Sequence, residues 1–421
     1  MKRLLAGLLL SSFFCSSSSL TAAEEWSRFR GPTGDGHSTA VGLPLEWNAS
    51  ENIAWKVKVP GLGWSSPIVH QGKIFLTTSV PTDEKGITDD QALHTLCLDP
   101  TTGETLWDVA VFEQSKDSNI RIHGKNSHAS PTPIAENGRI YVHYGAHGTA
   151  CLTVDGKIVW KNTDLQYQAQ HGNGSSPILA GDLLVASCDG RDIAYLVALN
   201  KNTGKIVWKK SRPKVENNKL FSFSTPTVIS VAGKTQIISV ATDLVIAYEP
   251  TSGKEIWRVT FDGFSVVPCP IFKHGLVYVC TGWSPPKLLA IKPDGTGDVT
   301  ETHMAWSSRQ AVPNTPSVIM VGEELYFISD RGVASCVDAK TGKLHWTERV
   351  GGKYSASPIV AEGKIYFQSE EGKTTVIQAG TTYKMLAESN LNLEERTFAS
   401  FAVLGQSLLL RSEFHLFKIG K

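Results

Sequence analysis

Five histidines have the clearest capacity for chemistry in this sequence. His123 and His128 lie in the segment HGKNSHAS, His143 and His147 in HYGAHG, and His171 in HGNG. An imidazole, whose pKa is ordinarily near 6.5, can hydrogen-bond a polar ligand, bind anions more tightly in mild acid, or bind a metal ion. These segments therefore predict a polar binding site on whichever surface brings them together.

Three further charged residues complete the candidate ligand-binding set. Asp189 and Arg191 lie in CDGRD, and Arg331 lies at a comparable position later in the chain. We expect a site for a polar small molecule, a glycan or an extended peptide, centred on His128, His143, His171 and Asp189. Three nitrogens and one oxygen could also hold Zn²⁺, but no fixed ligand spacing indicates a metal, and we predict none. The alternative is that these side chains only satisfy loop backbone groups and line a wet channel.

Recognisable catalytic motifs do not occur in the sequence. It contains no HExxH, no G-x-S-x-G, no Walker loop, and no G-x-G-x-x-G followed by a helix. The carboxylates are scattered, so no glycosidase pair can be chosen. Catalytic residues are therefore not assigned, and the sequence favours binding over catalysis.

The elements that must position the candidate residues repeat along the chain. The unit ALNKNTGKIVW has related or weaker copies 40–53 residues apart, which end at Trp55, Trp107, Trp160, Trp208, Trp257, Trp306, Trp346 and Leu386. A period of this size indicates a solenoid or a propeller. The short alternating runs and glycine-containing turns are typical of strands, which favours the propeller.

The count of strands predicts how the ring closes. Eight first strands begin with segments such as SSPIV and SPTPI, and each is followed by a second strand after a short turn. The chain begins with a fourth strand at 52–59 and ends with a third strand at 414–419. We therefore predict an all-β, eight-bladed propeller of four-stranded blades, with the last blade closed by the N-terminal strand. A seven-bladed ring is the alternative.

Overall composition excludes several classes of partner. The 421 residues include 41 basic and 40 acidic side chains, for a formal net charge of +1. Such a balance is not typical of nucleic-acid binding. Beyond the first 23 residues, no stretch approaches the roughly 20 apolar residues that span a membrane. We expect a monomer without nucleic-acid partners or a membrane span.

The first 23 residues resemble a secretory signal. Lys2 and Arg3 precede an apolar run, and Thr21-Ala22-Ala23 is a suitable cleavage site. Cleavage near Ala23 would release a periplasmic or secreted protein. Cys15 could instead indicate a lipoprotein, but Phe14 stands where such signals have a small residue. We expect residues 24–51 to form an ordered arm, tied to the propeller of residues 52–421 by its aromatic side chains.

Two local patterns leave alternatives open. Cys269 and Cys280 flank a hairpin that turns at His274-Gly275, so they lie opposite one another, and a disulfide between them is neither required nor excluded. The segment KPDGTGDVTETH, before Trp306, is either a calcium loop or a lengthened hairpin. Its acidic spacing fits no EF-hand-like pattern, which favours the hairpin.

The TGKIVW-type units are similar to the tryptophan-docking repeats of the quinoprotein, or PQQ-like, eight-bladed propellers. The resemblance covers nearly the whole mature chain and implies the fold. It does not decide the function, because the family includes quinoprotein dehydrogenases and non-catalytic propellers such as the lipoprotein of the outer-membrane β-barrel assembly machinery. The segment WSRFRGPTGDG resembles a third group, exported PQQ-like proteins of uncertain role.

Departures from these relatives shape the functional expectation. The dehydrogenases have adjacent cysteines beside the quinone and an oxygen-ligand set for Ca²⁺, and this chain has no Cys-Cys pair and no matching Glu/Asn/Asp set. The lipid-attachment cysteine of the assembly lipoprotein is also missing. We therefore expect an exported ligand-binding or protein-interaction scaffold. The alternative is a dehydrogenase that uses PQQ and calcium, or another enzyme that uses the polar channel.

Overall fold

The computed structural model describes residues 25–82, 90–115, 122–283 and 285–420, so the signal segment and Cys15 lie outside the described residues. Eight sheets of four blade strands are arranged in a ring, two of them with one added short strand. This confirms the all-β, eight-bladed propeller. The described part of the chain contains a 3₁₀ turn at Gly145–His147, and no helix in it is long and apolar enough to cross a membrane.

Each blade is an antiparallel sheet whose first strand lies nearest the central channel. Two short strands precede blade 1, namely β1 (His37–Ser38) and β2 (Ile53–Lys58). Blade 1 consists of β3 (Ile68–His70), β4 (Lys73–Pro81), β5 (Gln91–Leu98) and β6 (Thr105–Gln114), and blade 2 of β7 (Ile134–Glu136), β8 (Arg139–His143), β9 (Thr149–Thr153) and β10 (Ile158–Asn162). Blade 3 consists of β11 (Ile178–Ala180), β12 (Leu183–Asp189), β13 (Ala194–Asn200) and β14 (Ile206–Ser211). Blade 4 consists of β15 (Thr227–Val231), β16 (Lys234–Ala241), β17 (Leu244–Tyr248) and β18 (Glu255–Thr260).

Blades 5 to 8 continue the same order. Blade 5 consists of β19 (Ile271–Lys273), β20 (Leu276–Cys280), β21 (Leu288–Ile291) and β23 (Met304–Ser308), and blade 6 of β24 (Ile319–Val321), β25 (Glu324–Ile328), β26 (Val333–Asp338) and β27 (Leu344–Arg349). Blade 7 consists of β28 (Ile359–Ala361), β29 (Lys364–Gln368), β30 (Lys373–Gln378) and β31 (Met385–Asn390). Blade 8 consists of β32 (Ala402–Leu404), β33 (Ser407–Arg411), β34 (His415–Ile419) and β2. The extra strand β22 (Gly297–Asp298) lies within the connection between β21 and β23.

The two ends of the chain close the ring in blade 8. Strand β2 pairs antiparallel with β34, from Ile53 opposite Ile419 to Lys58 opposite His415. The predicted closure is thereby confirmed. Because β34 would otherwise be an exposed edge, this pairing satisfies backbone groups at the point where an open ring would be most prone to aggregate.

The repeated tryptophans join neighbouring blades. The indole of Trp208 donates a 2.8 Å hydrogen bond to the carbonyl of Pro250 in blade 4, and its ring lies over Gly253, where a Cβ would be 2.7 Å from ring carbons. Gly253 also has φ +64, so the turn requires glycine both for its backbone angle and for the space. Trp107 and Trp160 make the corresponding hydrogen bonds to Val154 and Lys201.

Blade 5 departs from this pattern through its lengthened hairpin. The segment KPDGTGDVTETH forms that hairpin, and β22 pairs in parallel with β18, the outer strand of blade 4. Trp257 is therefore fully buried and donates to the side-chain oxygen of Gln236 instead of to a backbone carbonyl. Asp298 accepts a hydrogen bond from the Thr300 hydroxyl. The segment thus covers part of the outer edge of blade 4, at Trp257 and Arg258.

A ring of hydrogen bonds links the first strands around the channel. The backbone N–H of Ser66 donates to the Thr132 hydroxyl, and Thr132 donates in the same way to Ser176, each at 2.9 Å. The pattern continues from blade to blade until Ser400 donates to Ser66. This hydroxyl ring consists of Ser66, Thr132, Ser176, Thr225, Cys269, Ser317, Ser357 and Ser400.

The ring explains the environment of the cysteines. Cys269 occupies the position of a hydroxyl residue, and its sulfur is hydrogen-bonded by Thr225. Cys269 and Cys280 are free and buried, as are the other four cysteines of the described residues. The cross-strand pair is therefore not a disulfide. Burial also raises the pKa of Cys269, so its thiol remains protonated and serves as a packing residue.

The segment from Glu25 to Trp47 closes one end of the channel. We call this end the lower face; it carries the turns between first and second strands. The carbonyls of Trp26 and Ser27 accept hydrogen bonds from the first strands of blades 1 and 2, and β1 pairs with β28 in blade 7. Between these points the buried Arg30 donates to the carbonyl of Val318, at 2.7 Å, in blade 6.

Candidate functional site

A cavity of about 450 Å³ occupies the channel on the upper face, where the loops enter the first strands. Phe and Trp side chains supply much of the apolar surface of its wall, and its base is formed by Phe29 and much of the hydroxyl ring. We call this cavity the aromatic funnel, after Trp64, Phe221, Phe223, Phe264, Trp283 and Phe398. Its volume is within the range of ordinary small-ligand pockets.

The first strands position the funnel wall by a simple rule. Side chains two residues apart on an extended chain point to the same side. The residue two positions before each member of the hydroxyl ring therefore also faces the channel. This second tier consists of Trp64, Ser130, Gly174, Phe223, Val267, Thr315, Ser355 and Phe398, all of which line the cavity.

The aromatic rings contact one another in two groups. On one side His171 lies between His123 and Phe221, with ring centroids 5.3 and 5.4 Å apart, and Phe221 lies 6.1 Å from Phe264. On the other side Trp64 and Phe398 pack at 4.6 Å. Trp283 stands at the rim and is 52% exposed. A large exposed aromatic beside an apolar cavity is typical of a binding surface.

Cations surround the funnel, and the described lining residues include no Asp or Glu. The Arg396 guanidinium stacks on Trp64 and Phe398, at 5.5 and 5.3 Å from their ring centres. The Lys219 ammonium lies 4.0 Å from the ring centre of Phe264. Arg396 is also paired with Glu413, and Lys125 is paired with Glu370. Lys219 belongs to no ion pair among the described residues, so its ammonium is the cation that suits a ligand with negative charge.

The base of the funnel offers hydrogen-bond donors. Each hydroxyl oxygen of Ser66, Thr132, Ser176 and Ser400 accepts a backbone N–H, and among the described residues its own hydrogen has no acceptor. Above them, the indole nitrogen of Trp64 is buried without a partner in the described structure. A ligand with oxygen acceptors would satisfy these groups.

Among the predicted site residues, only His123 and His171 line the funnel. His171 adopts φ +67, which turns its side chain towards His123. Burial, and then the neighbouring His123, lower the pKa of His171. At neutral pH, His171 therefore acts as an uncharged hydrogen-bonding group.

Three other predicted histidines lie behind the wall in blade 2. His143 is 1% exposed, and its Nδ1 lies 2.8 Å from the Thr149 hydroxyl. Burial lowers the pKa of both His143 and His147 to about 4, and His128 adds to the effect at His147. His143 is placed inside because it ends β8, whereas His147 lies in the 3₁₀ turn after that strand.

Asp189, at the end of β12, forms an ion pair with Arg212, which directly follows the outer strand of blade 3. It accepts two 3.0 Å hydrogen bonds from Arg212, which also donates to the hydroxyls of Ser187 and Ser239. The carboxylate of Asp189 raises the pKa of Arg212 despite its burial. The structure therefore separates Asp189 from the funnel, and the described residues contain no group of three or more His, Cys, Asp or Glu placed to hold a metal.

The two predicted arginines lie outside the funnel. Arg191 donates to the side-chain oxygen of Gln168, at 2.9 Å, on the upper surface. Arg331 is exposed, and its carbonyl accepts a hydrogen bond from Arg349. Of the eight candidate residues, the structure thus brings only His123 and His171 together in the channel, and the other six lie elsewhere.

The sequence profile of one family matches residues 47–230, 193–327 and 301–385, and that family is described as outer membrane protein assembly factor BamB. This chain belongs to that PQQ-like propeller family. Comparison with curated protein sequences found no match.

Solved structures of PQQ-like propellers share the fold at low sequence identity. BamB from Moraxella catarrhalis is 10% identical with a TM-score of 0.62, and the alignment covers 88% of this chain and 97% of that one. A europium-containing methanol dehydrogenase is 11% identical with a TM-score of 0.68, covering 92% and 89%. The quinohemoprotein alcohol dehydrogenase ADHIIG from Pseudomonas putida HK5 is 10% identical with a TM-score of 0.61, covering 94% and 80%.

The funnel of this PQQ-like propeller does not fit a calcium-bound quinone. Ca²⁺ takes six to eight oxygen ligands and prefers carboxylates. The described lining offers hydroxyls and carbonyls but no carboxylate, and the sequence has no adjacent cysteines. The lining instead combines aromatic surfaces, hydrogen-bond donors and positive charge.

Proposed function

We propose that this PQQ-like propeller is an exported binding scaffold that uses the aromatic funnel to hold a segment of a partner polypeptide. The segment would insert an aromatic or apolar side chain and place a carboxylate near the cationic rim. The observation that carries the proposal is one cavity of about 450 Å³ lined by seven Phe and Trp side chains and by no described carboxylate.

The arrangement accounts for both parts of such a ligand. The rings of Trp64, Phe223 and Phe398 supply apolar area inside the funnel, where burial of an aromatic group is favourable. The hydroxyl hydrogens of the base and the Lys219 ammonium supply partners for oxygen atoms and negative charge. A neutral sugar would use the rings and hydroxyls but not the cations.

The experiment uses two tetrapeptides that end in phenylalanine, one with a free carboxylate and one with a terminal amide. Isothermal titration calorimetry measures the binding of each peptide without depending on any one tryptophan. We expect the free acid to bind more tightly, and Trp283→Ala to weaken binding about tenfold, because an interfacial tryptophan is commonly worth more than 1 kcal/mol.

Met385→Ala is the matched control, since Met385 is also 52% exposed but lies on the outer strand of blade 7. This variant should bind both peptides as the unmodified protein does. Equal binding of the acid and the amide, or equal losses in both variants, would overturn the proposal. A change in absorbance of added PQQ and Ca²⁺ on mixing with the protein would support the dehydrogenase alternative instead.

A further inference from the structure

The lower face shows a second pattern, independent of the funnel. Three positions beyond each member of the hydroxyl ring, the first strand turns a backbone N–H towards the channel axis. In three blades that N–H donates to the N-terminal segment: Val69 to the carbonyl of Trp26 at 2.9 Å, Ala135 to Ser27 at 2.8 Å, and Val360 to Gly36 at 2.9 Å.

The N-terminal segment covers only part of this circle of donors. In blades 1, 2, 6, 7 and 8 the residues at this position are 1–5% exposed, namely Val69, Ala135, Met320, Val360 and Val403. In blades 3, 4 and 5 the residues are Leu179, Val228 and Phe272, and all three are partly exposed apolar side chains. We call these three positions the lower-face crescent.

The crescent retains unpaired hydrogen-bonding groups. Leu179 is opposite Leu184 in the same register that places Val69 opposite Ile74, so its N–H has the same outward direction. Among the described residues, that N–H has no acceptor. An exposed strand edge of this kind is a template for an added strand.

A cavity of about 320 Å³ lies between the crescent and the N-terminal segment. Leu179 and Val228 form one wall, and Arg28 and Phe29 form the other. The guanidinium of Arg28 donates to the carbonyls of Gly31 and Pro32. The Asp35 carboxylate acts on Arg28 electrostatically, but within the described residues Arg28 makes no ion pair, so a carboxylate that enters the cavity would be its direct ionic partner.

We infer that the lower-face crescent is a strand-addition site for an extended, acidic segment of a partner protein. The segment continues the pattern by which residues 26–36 already pair with the first strands. Its backbone carbonyls accept the N–H groups of Leu179 and Val228, one apolar side chain enters the 320 Å³ cavity, and one carboxylate pairs with Arg28.

The test uses two synthetic pentapeptides as probes, acetyl-Thr-Val-Glu-Val-Thr-amide and its counterpart with lysine at the centre. Hydrogen–deuterium exchange of the full chain is followed by mass spectrometry. In the free protein, amides 179 and 228 should exchange faster than those of Val69 and Ala135. The acidic peptide should slow exchange at 178–180 and 227–231, and the lysine peptide should not.

Two variants separate this site from the funnel. Arg28→Gln keeps a donor for the Pro32 carbonyl but removes the charge, and we expect it to weaken binding of the acidic peptide about tenfold. Trp283→Ala, which alters the funnel on the opposite face, should leave that binding unchanged. Leu179→Pro removes the backbone N–H donor of Leu179 and should also weaken binding of the acidic peptide. This variant is informative only if its melting temperature is unchanged, and otherwise Arg28→Gln alone tests the inference.

The inference is overturned if neither peptide slows exchange at millimolar concentration, or if both peptides act equally. It is also overturned if Arg28→Gln binds the acidic peptide as tightly as the unmodified protein. Protection of 178–180 that rises with protein concentration alone would show that a second copy of this chain covers the crescent instead.

Discussion

The ammonium of Lys125 lies 2.6 Å from a carboxylate oxygen of Glu370, so the loop before blade 2 is tied to blade 7 at the mouth of the channel. Arg396 supports the same loop by donating a 2.7 Å hydrogen bond to the carbonyl of Gly124. The Glu370 side chain is 10% exposed and that of Lys125 is 40% exposed. Removing the two partners should therefore have unequal effects.

Lys125→Met should lower the free energy of unfolding by about 1–3 kcal/mol, because it leaves a buried carboxylate with only the Ser355 hydroxyl as partner. The double variant Lys125→Met/Glu370→Gln should regain most of that loss, since an amide is cheaper to bury than a charge. Urea unfolding measures both values. Equal stability of the single and double variants would contradict this account.

Gly253→Ala should destabilise the propeller more than Gly233→Ala. Both glycines have positive φ, +64 and +76, so both substitutions incur a backbone cost of about 1–2 kcal/mol. A Cβ at Gly253 would also lie 2.7 Å from the Trp208 ring, whereas one at Gly233 would have nothing within 4 Å. Thermal unfolding compares the two. Similar melting temperatures would show that the tryptophan contact imposes no steric limit.

Deletion of 53–58 should leave β34 without its partner and cause aggregation. The same strand sequence appended after Gly420 through a short glycine-serine turn should restore a soluble monomer. This rescue is feasible because the N–H of Gly420 already donates to the carbonyl of Asn52, at 2.8 Å. Light scattering and calorimetry follow both proteins. A soluble deletion variant with an unchanged melting temperature would disprove the role of this strand in closure.

Stability should fall as the pH drops from about 6.5 to 4, because burial lowers the pKa of His143 to about 4. An unfolded chain, with histidine pKa values near 6.5, binds more protons than the folded chain in this interval. His143→Gln should make the urea midpoint less dependent on pH. An unchanged slope in His143→Gln would contradict the assignment.

Export remains a proposal that sequencing of the mature protein can test. Secretion through the signal segment should yield a chain that begins at Glu24. A lipid-modified Cys15 at the mature N-terminus would instead identify an anchored protein.

The propeller was predictable from sequence because its defining contacts recur with the period of the chain. Trp208 and Gly253 belong to the same repeated unit in consecutive blades, so their contact recurs wherever two such units are neighbours. The aromatic funnel was not predicted, since each blade adds only two to five residues to it and their convergence depends on the closed ring. The Ser/Thr-Pro start of the first strands could have predicted part of the funnel wall, because Trp64 and Phe223 each lie two residues before that Ser or Thr.

The clustered histidines predicted the site less well, because residues that are close in the sequence can point in different directions once the blade strands have formed. His171 faces the funnel through its positive φ. His143 ends a strand and points into the blade, where Thr149 is its hydrogen-bond partner. Asp189 lies at the end of β12, and its orientation is set by Arg212, which is contributed by the connection after β14. None of these directions follows from residue type or spacing.

Phe29 lines both the funnel and the cavity of the lower face, so the N-terminal segment makes the channel a blind well and not a pore. A molecule in the funnel can leave only by the opening through which it came. Its residence time then depends on the size of that one opening and on the loop before blade 2, which Lys125 ties to Glu370. The propeller would therefore present two separate docking faces to two partners, with no solute passing between them.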